Sequence, residues 1–198
     1  MTAAALTDLR GVGPALAERL NKLGVHSVFD LCFILPLRYE DRTQISPLGG
    51  LVPGRRVVVE ALVELTEVVF RQRRALLCRL SDGTGTLTLR FFYFSRGQQA
   101  ALARGTRVRC YGEVRKGPGG LEMVHPEYRT LTTDNAIALE KHLTPVYPTT
   151  EGVQQGRLRS LIAQVLDRDL TQLVDYLPAT VLREQQLPTL AEAITYLH

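Results

Sequence analysis

Thr86-Leu87-Thr88-Leu89-Arg90-Phe91-Phe92-Tyr93-Phe94 is the stretch that decides how this chain folds. Threonines followed by four consecutive aromatics predict a β-strand. Side chains alternate along a strand, so Leu87, Leu89, Phe91 and Tyr93 share one face and are expected to enter a core. Thr88, Arg90, Phe92 and Phe94 share the other. Aromatics beside a cation on a solvent face form a stacking surface for single-stranded nucleic acid. The same pattern also fits a strand whose second face packs under a neighbouring domain. Both readings stand on this stretch alone.

The flanking sequence supplies the rest of a barrel. Upstream, Val57, Val59, Ala61, Val63 and Leu65 alternate along a first strand. The basic bend Arg71-Gln72-Arg73-Arg74 leads to a second strand near 75–80, and Asp82-Gly83-Thr84-Gly85 is a hairpin turn into the opening stretch. Downstream come a short helix over 95–103, a fourth strand over 106–114, a turn at Gly117-Pro118-Gly119-Gly120 and a fifth strand over 121–124. Three strands, a helix and two strands is the order of the OB-fold, a five-stranded barrel whose strand 2–3 face and flanking loops bind oligonucleotides. The predicted class is therefore α+β, an OB barrel flanked by helical segments. In that frame Phe92 and Phe94 lie on the binding face, and Arg79 and Arg90 can track a backbone. Arg71, Arg73 and Arg74 occupy the loop between strands 1 and 2, and Arg115 and Lys116 the loop between strands 4 and 5. A barrel that docks protein, with incidental nucleic-acid affinity, is the alternative.

Charge favours nucleic acid. Residues 55–130 carry fourteen basic and seven acidic side chains, a net +7, whereas 1–54 balance and 131–198 sum to −3. Thirteen of the fourteen are arginine. A local excess of this kind is the footprint of phosphate binding.

Three parts are expected: a helical segment over 1–50, the barrel over 51–131, and a connector with helices over 132–198. In the first, Pro14 opens a helix with Leu16, Leu20 and Leu23 on one face and Gly24 at its end, and Ser27 caps a second helix running to Leu35. Gly11-Val12-Gly13-Pro14-Ala15 reads either as a phosphate-holding hairpin through Gly11 and Gly13 or as a structural turn. In the last, Leu158, Leu161, Ile162 and Val165 mark an amphipathic helix, followed by helical pieces near 170–177 and 190–197. The end at His198, directly after an apolar helix, reads as a truncation.

Several chemistries find no support. Cys32, Cys78 and Cys110 are odd in number and form no Cys-x-x-Cys pair, so buried thiols in a reducing cytoplasm are expected. No apolar run approaches the ~20 residues of a membrane span. The four histidines lack metal-ligand spacing, no lysine follows a glycine to make a P-loop, and no cluster of carboxylates suits Mg²⁺. Catalysis, metal and cofactor are thus not expected in these residues.

Leu35-Pro36-Leu37-Arg38-Tyr39-Glu40-Asp41-Arg42, Leu89-Arg90-Phe91-Phe92-Tyr93-Phe94, Tyr111-Gly112-Glu113-Val114, Met123-Val124-His125-Pro126-Glu127-Tyr128 and Leu143-Thr144-Pro145-Val146-Tyr147-Pro148-Thr149-Thr150-Glu151-Gly152 occur in that order. This series resembles the N-terminal region of bacterial RecG DNA helicases across nearly the whole chain. The resemblance implies a wedge that splits strands of replication forks and Holliday junctions in repair and recombination, driven by ATP and Mg²⁺ in motor domains outside these residues. It maps a base-stacking aromatic onto Phe92. A second family aromatic falls on Arg96, where this chain departs, so either Phe94 stacks in its place or charge, Arg96 included, holds the second strand. The implied partners are branched and single-stranded DNA, the protein's own helicase domains and single-strand-binding protein. The implied setting is a monomer in the bacterial cytoplasm, associated with the nucleoid and not with a membrane.

Overall fold

The computed structural model describes residues 5–70, 73–131, 139–168, 170 and 173–198. In chain order the strands are β1 (Arg38–Glu40), β2 (Arg56–Phe70), β3 (Arg74–Ser81), β4 (Thr86–Phe91), β5 (Arg107–Glu113), β6 (Arg115–Gly117), β7 (Gly120–Val124), β8 (Glu127–Leu131) and β9 (Thr144–Val146). The α-helices are α1 (Pro14–Asn21), α2 (Arg96–Ala101), α3 (Gln155–Leu166), α4 (Ala179–Glu184) and α5 (Leu190–Leu197). The chain divides into two units, residues 1–40 with 145–198, and residues 41–144. The three-part division expected from sequence is corrected accordingly. Its two helical ends form one body, because α3 and α5 supply the apolar partners that α1 lacks locally. Residues 41–50 join the barrel instead, where Ser46 N donates to Val58 O at 2.8 Å and Ile45 bridges Val58.

The helical unit follows its periodicity closely. Pro14 opens α1, where its missing N–H is not needed, and Gly24, at φ +80°, ends the turn after it. Leu20 is buried with Val28, Leu31 and the Leu158, Leu161, Ile162 and Val165 face of α3. The expected second helix is a short 3-10 turn over Phe29–Phe33. Asp30 accepts the N–H groups of both His26 and Ser27 at 2.8 Å, which tightens its first turn. The expected helix near 170–177 is corrected. Residue 170 lies in a 3-10 turn, residues 173–177 are not helical, and α4 begins only after Pro178, which is its N-cap. Residues 169, 171 and 172 lie outside the described set. Thr189 and Glu192 cap α5 reciprocally, as a capping box.

The barrel unit is one sheet in the order β6-β7-β4-β3-β2-β5-β8. Its ladders are antiparallel except β4 with β7, which run parallel with Leu89 opposite Met123. That arrangement, with the third and fifth expected strands paired in parallel, is the OB-fold pattern. The sheet is open. Two short strands, β6 and β8, extend the expected five. At Gly112 of β5 an added Cβ would stand 3.1 Å from Pro126 Cβ and 3.2 Å from Met123 Sδ, so a side chain there would crowd the β7–β8 corner. Val59, Val63, Leu76, Leu80, Leu89 and Met123 are fully buried in the core. All three cysteines are buried and free, and burial pushes Cys78 and Cys110 upward, which keeps both thiols protonated.

The turn before β4 is pinned by Asp82. Its carboxylate accepts Leu48 N at 2.8 Å, Thr84 N at 2.8 Å, Thr84 Oγ1 at 2.7 Å and Gly85 N at 3.1 Å. Desolvation pushes this carboxyl upward, but the four hydrogen bonds outweigh it and hold the group down at about 2. Gly85 is required at the turn because a Cβ would sit 2.8 Å from Gly49 N.

Candidate nucleic-acid interface

The opening strand stops at Phe91, three residues before its aromatic run ends, and the reason is His125. Phe91 makes the last pair with β3, opposite Leu76, and Arg90 the last with β7, opposite Val124. His125 N then donates to Arg90 O at 2.9 Å, and Phe92 N donates to the His125 ring at Nε2, 3.2 Å away. An imidazole thus takes the place of the next ladder partner. His125 does this at φ +47°, an uncommon conformation for a non-glycine residue and unlike the extended backbone usual before proline.

Beyond that point Tyr93 departs from the expected alternation. Tyr93, expected in the core, is 82% exposed. Phe94, expected on the solvent face as a stacking aromatic, is partly buried against the barrel core, with the Arg74 guanidinium 4.6 Å from its ring centre. The outward Tyr93 corrects its expected place in the core, since the period of two holds only while the ladder continues. Phe92 is half-buried, between Phe91 in the core and Tyr93 in water. The His125 ring gathers all three. It meets Phe91 edge-on at 5.9 Å and 86°, Phe92 tilted at 5.7 Å and 46°, and Tyr93 nearly parallel at 6.1 Å and 26°. Sequence reasoning missed His125 because nothing local marks it; its only signal is its place inside the Met123–Tyr128 element.

The predicted cations sort into engaged and open. Arg90 is engaged, its Nη2 2.7 Å from Glu122 Oε2 with both side chains largely buried, so it ties β4 to β7. Arg115 meets Glu113 at 2.9 Å. That hydrogen bond lowers the Glu113 carboxyl and raises the Arg115 guanidinium. Arg109 and Arg107 flank Glu60 at 3.0 and 2.8 Å. Arg79, Arg73 and Lys116 are exposed, and Arg79 lies on β3 between Leu65 of β2 and Thr88 of β4. Arg71 lies outside the described residues. Arg96, the first residue of α2, is exposed and lines an open groove of about 440 Å³ with Leu65, Gln99 and Arg104. The Thr66 hydroxyl donates to Leu102 O and ties β2 to the end of α2.

Gly11 and Gly13 lie in the helical unit. Gly13 is the N-cap of α1, and Gly11, at φ +78°, accepts a hydrogen bond on its carbonyl from the Arg157 guanidinium. That contact gives the Gly11 turn a structural partner and supports the structural reading of the hairpin. Among the described residues no group of three or more His, Cys, Asp or Glu could hold a metal ion, and no helix is long and apolar enough to cross a membrane.

Residues 7–168 match the family model described as the RecG wedge domain. The chain is 46% identical, along its full length, to the ATP-dependent DNA helicase RecG of Escherichia coli K12, of which it covers 28%. It is 27% identical to the Thermotoga maritima protein of the same name over 96% of the chain, and covers 24% of that relative. A solved structure of RecG bound to a three-way DNA junction superposes with a TM-score of 0.79 at 26% identity, covering all of this chain and 27% of that one. The chain spans less than a third of the length of the relatives it matches.

Proposed function

Because this chain belongs to the RecG wedge domain family, we propose that it binds branched DNA and holds strands apart at the branch point. The observation that carries the proposal is the whole-chain likeness to RecG bound to a three-way junction. The barrel supports it chemically. A half-buried Phe92 stands at the end of β4, and the exposed Arg73, Arg79 and Lys116 lie on the same barrel. Phosphate contacts by such residues give affinity that falls steeply with salt. An aromatic face stacks on any base, which selects structure over sequence. Stacking contributes roughly 1–3 kcal/mol per base, whereas separating DNA costs about 1.4 kcal/mol per base-pair step. One stack therefore traps a frayed pair without driving unwinding. Work in repair and recombination, with ATP and Mg²⁺ as cofactors, belongs in this proposal to the remaining length of the full protein, and these residues carry no P-loop sequence.

The test is fluorescence anisotropy with a three-way fork, a plain duplex and single-stranded DNA at several salt concentrations. The fork is expected to bind best, and Phe92→Ala to weaken it about tenfold with an unchanged melting temperature. Equal weak binding to all three DNAs would overturn the wedge, and no binding at all would favour a protein-docking barrel.

A further inference from the structure

We propose that α5 is a strap that opens and closes on the helical unit while the rest of that unit stays folded, and that a clasp of three hydrogen bonds at Leu197 and His198 holds it shut. Every residue it uses lies in the helical unit, so it stands apart from DNA binding by the barrel. The helices of that unit are held in very different ways. α3 buries Leu158, Leu161, Ile162 and Val165, whereas α5 buries Ile194 alone and leaves Tyr196 89% exposed. A helix of eight residues is marginal in water by itself. Its capping box and the bond from Leu190 N to Asp175 at 2.8 Å set where it starts and not what it rests on. The segment leading into it is no anchor either, since α4 buries no side chain and residues 183–189 are exposed throughout. A segment with so few buried contacts opens at a fraction of the free energy of global unfolding.

The holding contacts gather at the other end of α5. Tyr39 OH donates to Leu197 O at 2.7 Å. The His198 ring stands 2.9 Å at Nε2 from Cys32 O and 2.8 Å at Nδ1 from Tyr147 OH. A carbonyl only accepts, so Nε2 carries a proton, and Nδ1 of the neutral ring accepts from the tyrosine. The Tyr147 and His198 rings also stack, 5.5 Å between centres at 30°. The three sockets are built without α5. Tyr147 is 2% exposed, and its backbone exchanges hydrogen bonds of 3.0 and 2.6 Å with the Gln155 side chain at the start of α3. Cys32 belongs to the 3-10 turn that Asp30 tightens. Tyr39 stands on β1, whose approach is pinned by Leu37 N donating to Val146 O at 2.8 Å. Closed, the strap satisfies the buried Tyr147 hydroxyl and covers the core at Ile194; open, it gives both to water. A buried polar group is costly without its partner, so a few bonds at one end govern the whole strap.

The experiment is native-state amide hydrogen exchange on this chain at a series of low urea concentrations. The amides of α5 are expected to exchange more than about tenfold faster than those of Leu161 and Ile162 in α3, with a weaker dependence on urea. His198→Ala removes two of the three bonds and is expected to speed exchange in α5 about tenfold, leaving α3 and the barrel unchanged. Tyr39→Phe removes one bond and gives about threefold. His198→Gln keeps a donor for Cys32 O but no ring to stack on Tyr147, and falls between wild type and His198→Ala. If α5 and α3 share one rate and one urea dependence in wild type, α5 is an integral part of the core and there is no strap. If α5 opens independently but His198→Ala and Tyr39→Phe leave its rate unchanged, the clasp does not hold it and the proposal fails. Equal acceleration of α3 and α5 in His198→Ala also overturns it, because these bonds then support the whole unit.

Discussion

Replacing Asp82 by alanine should loosen the barrel in a manner that depends on pH. The carboxylate accepts four hydrogen bonds, three from backbone N–H groups, and joins residue 48 to the β3–β4 turn. Hydrogen bonds to a charged acceptor contribute about 1.5–3 kcal/mol each when sheltered, but water replaces most of that at a solvent-facing turn, leaving a total loss of about 2–4 kcal/mol. Part of the loss must follow ionisation. The folded carboxyl lies at about 2, below its ordinary value of 3.8. A depressed acid contributes stability that is complete above the unfolded value and disappears as pH falls through the folded one. The full shift would correspond to about 2.5 kcal/mol, and screening by water reduces this to about 1–2 kcal/mol. The window is thus pH 4 down to pH 2. Because the chain has two units, a global melt would mix their transitions. Amide hydrogen exchange at Leu87, Leu89 and Cys78 reports on the barrel alone. Protection of wild type should fall towards that of Asp82→Ala as pH drops from 5 to 2.5, after correction for intrinsic exchange. A constant gap between the two proteins across that range would refute the assignment of the stabilisation to the ionised carboxylate.

Glu122→Gln should destabilise the barrel by about 2–3 kcal/mol, since it leaves the largely buried Arg90 charged without its carboxylate, whereas the double change Arg90→Met with Glu122→Leu should cost less than about 1 kcal/mol; urea titration of the barrel amides distinguishes them. Gly112→Val should cost about 1–3 kcal/mol through crowding against Pro126 and Met123, with Gly112→Ala milder, measured in the same way.

Much of the fold was legible because it is written locally. The strict alternation of Val57 to Val63 and the Asp82-Gly83-Thr84-Gly85 turn carry their own structure, as does the 3.6-residue spacing of Leu158, Leu161, Ile162 and Val165. The candidate site was legible only in part. The expected solvent-face aromatics Phe92 and Phe94 are both partly buried, Tyr93 points outward, Arg90 meets Glu122 and Arg115 meets Glu113. Glu122 lies thirty-two residues from Arg90 and becomes its neighbour only through the parallel β4–β7 register.

By itself the sequence determined the α+β class, the barrel's strand order, the helical faces and the concentration of arginine on one segment, because periodicity, turn chemistry and charge are properties of neighbours along the chain. Only the tertiary structure decided that residues 1–40 and 145–198 share a core, and where the aromatic run leaves its strand. The strand ends where a histidine thirty-three residues on from Phe92 supplies the acceptor that the next ladder residue would have supplied. That one long-range hydrogen bond turns Tyr93 from a core residue into an exposed one.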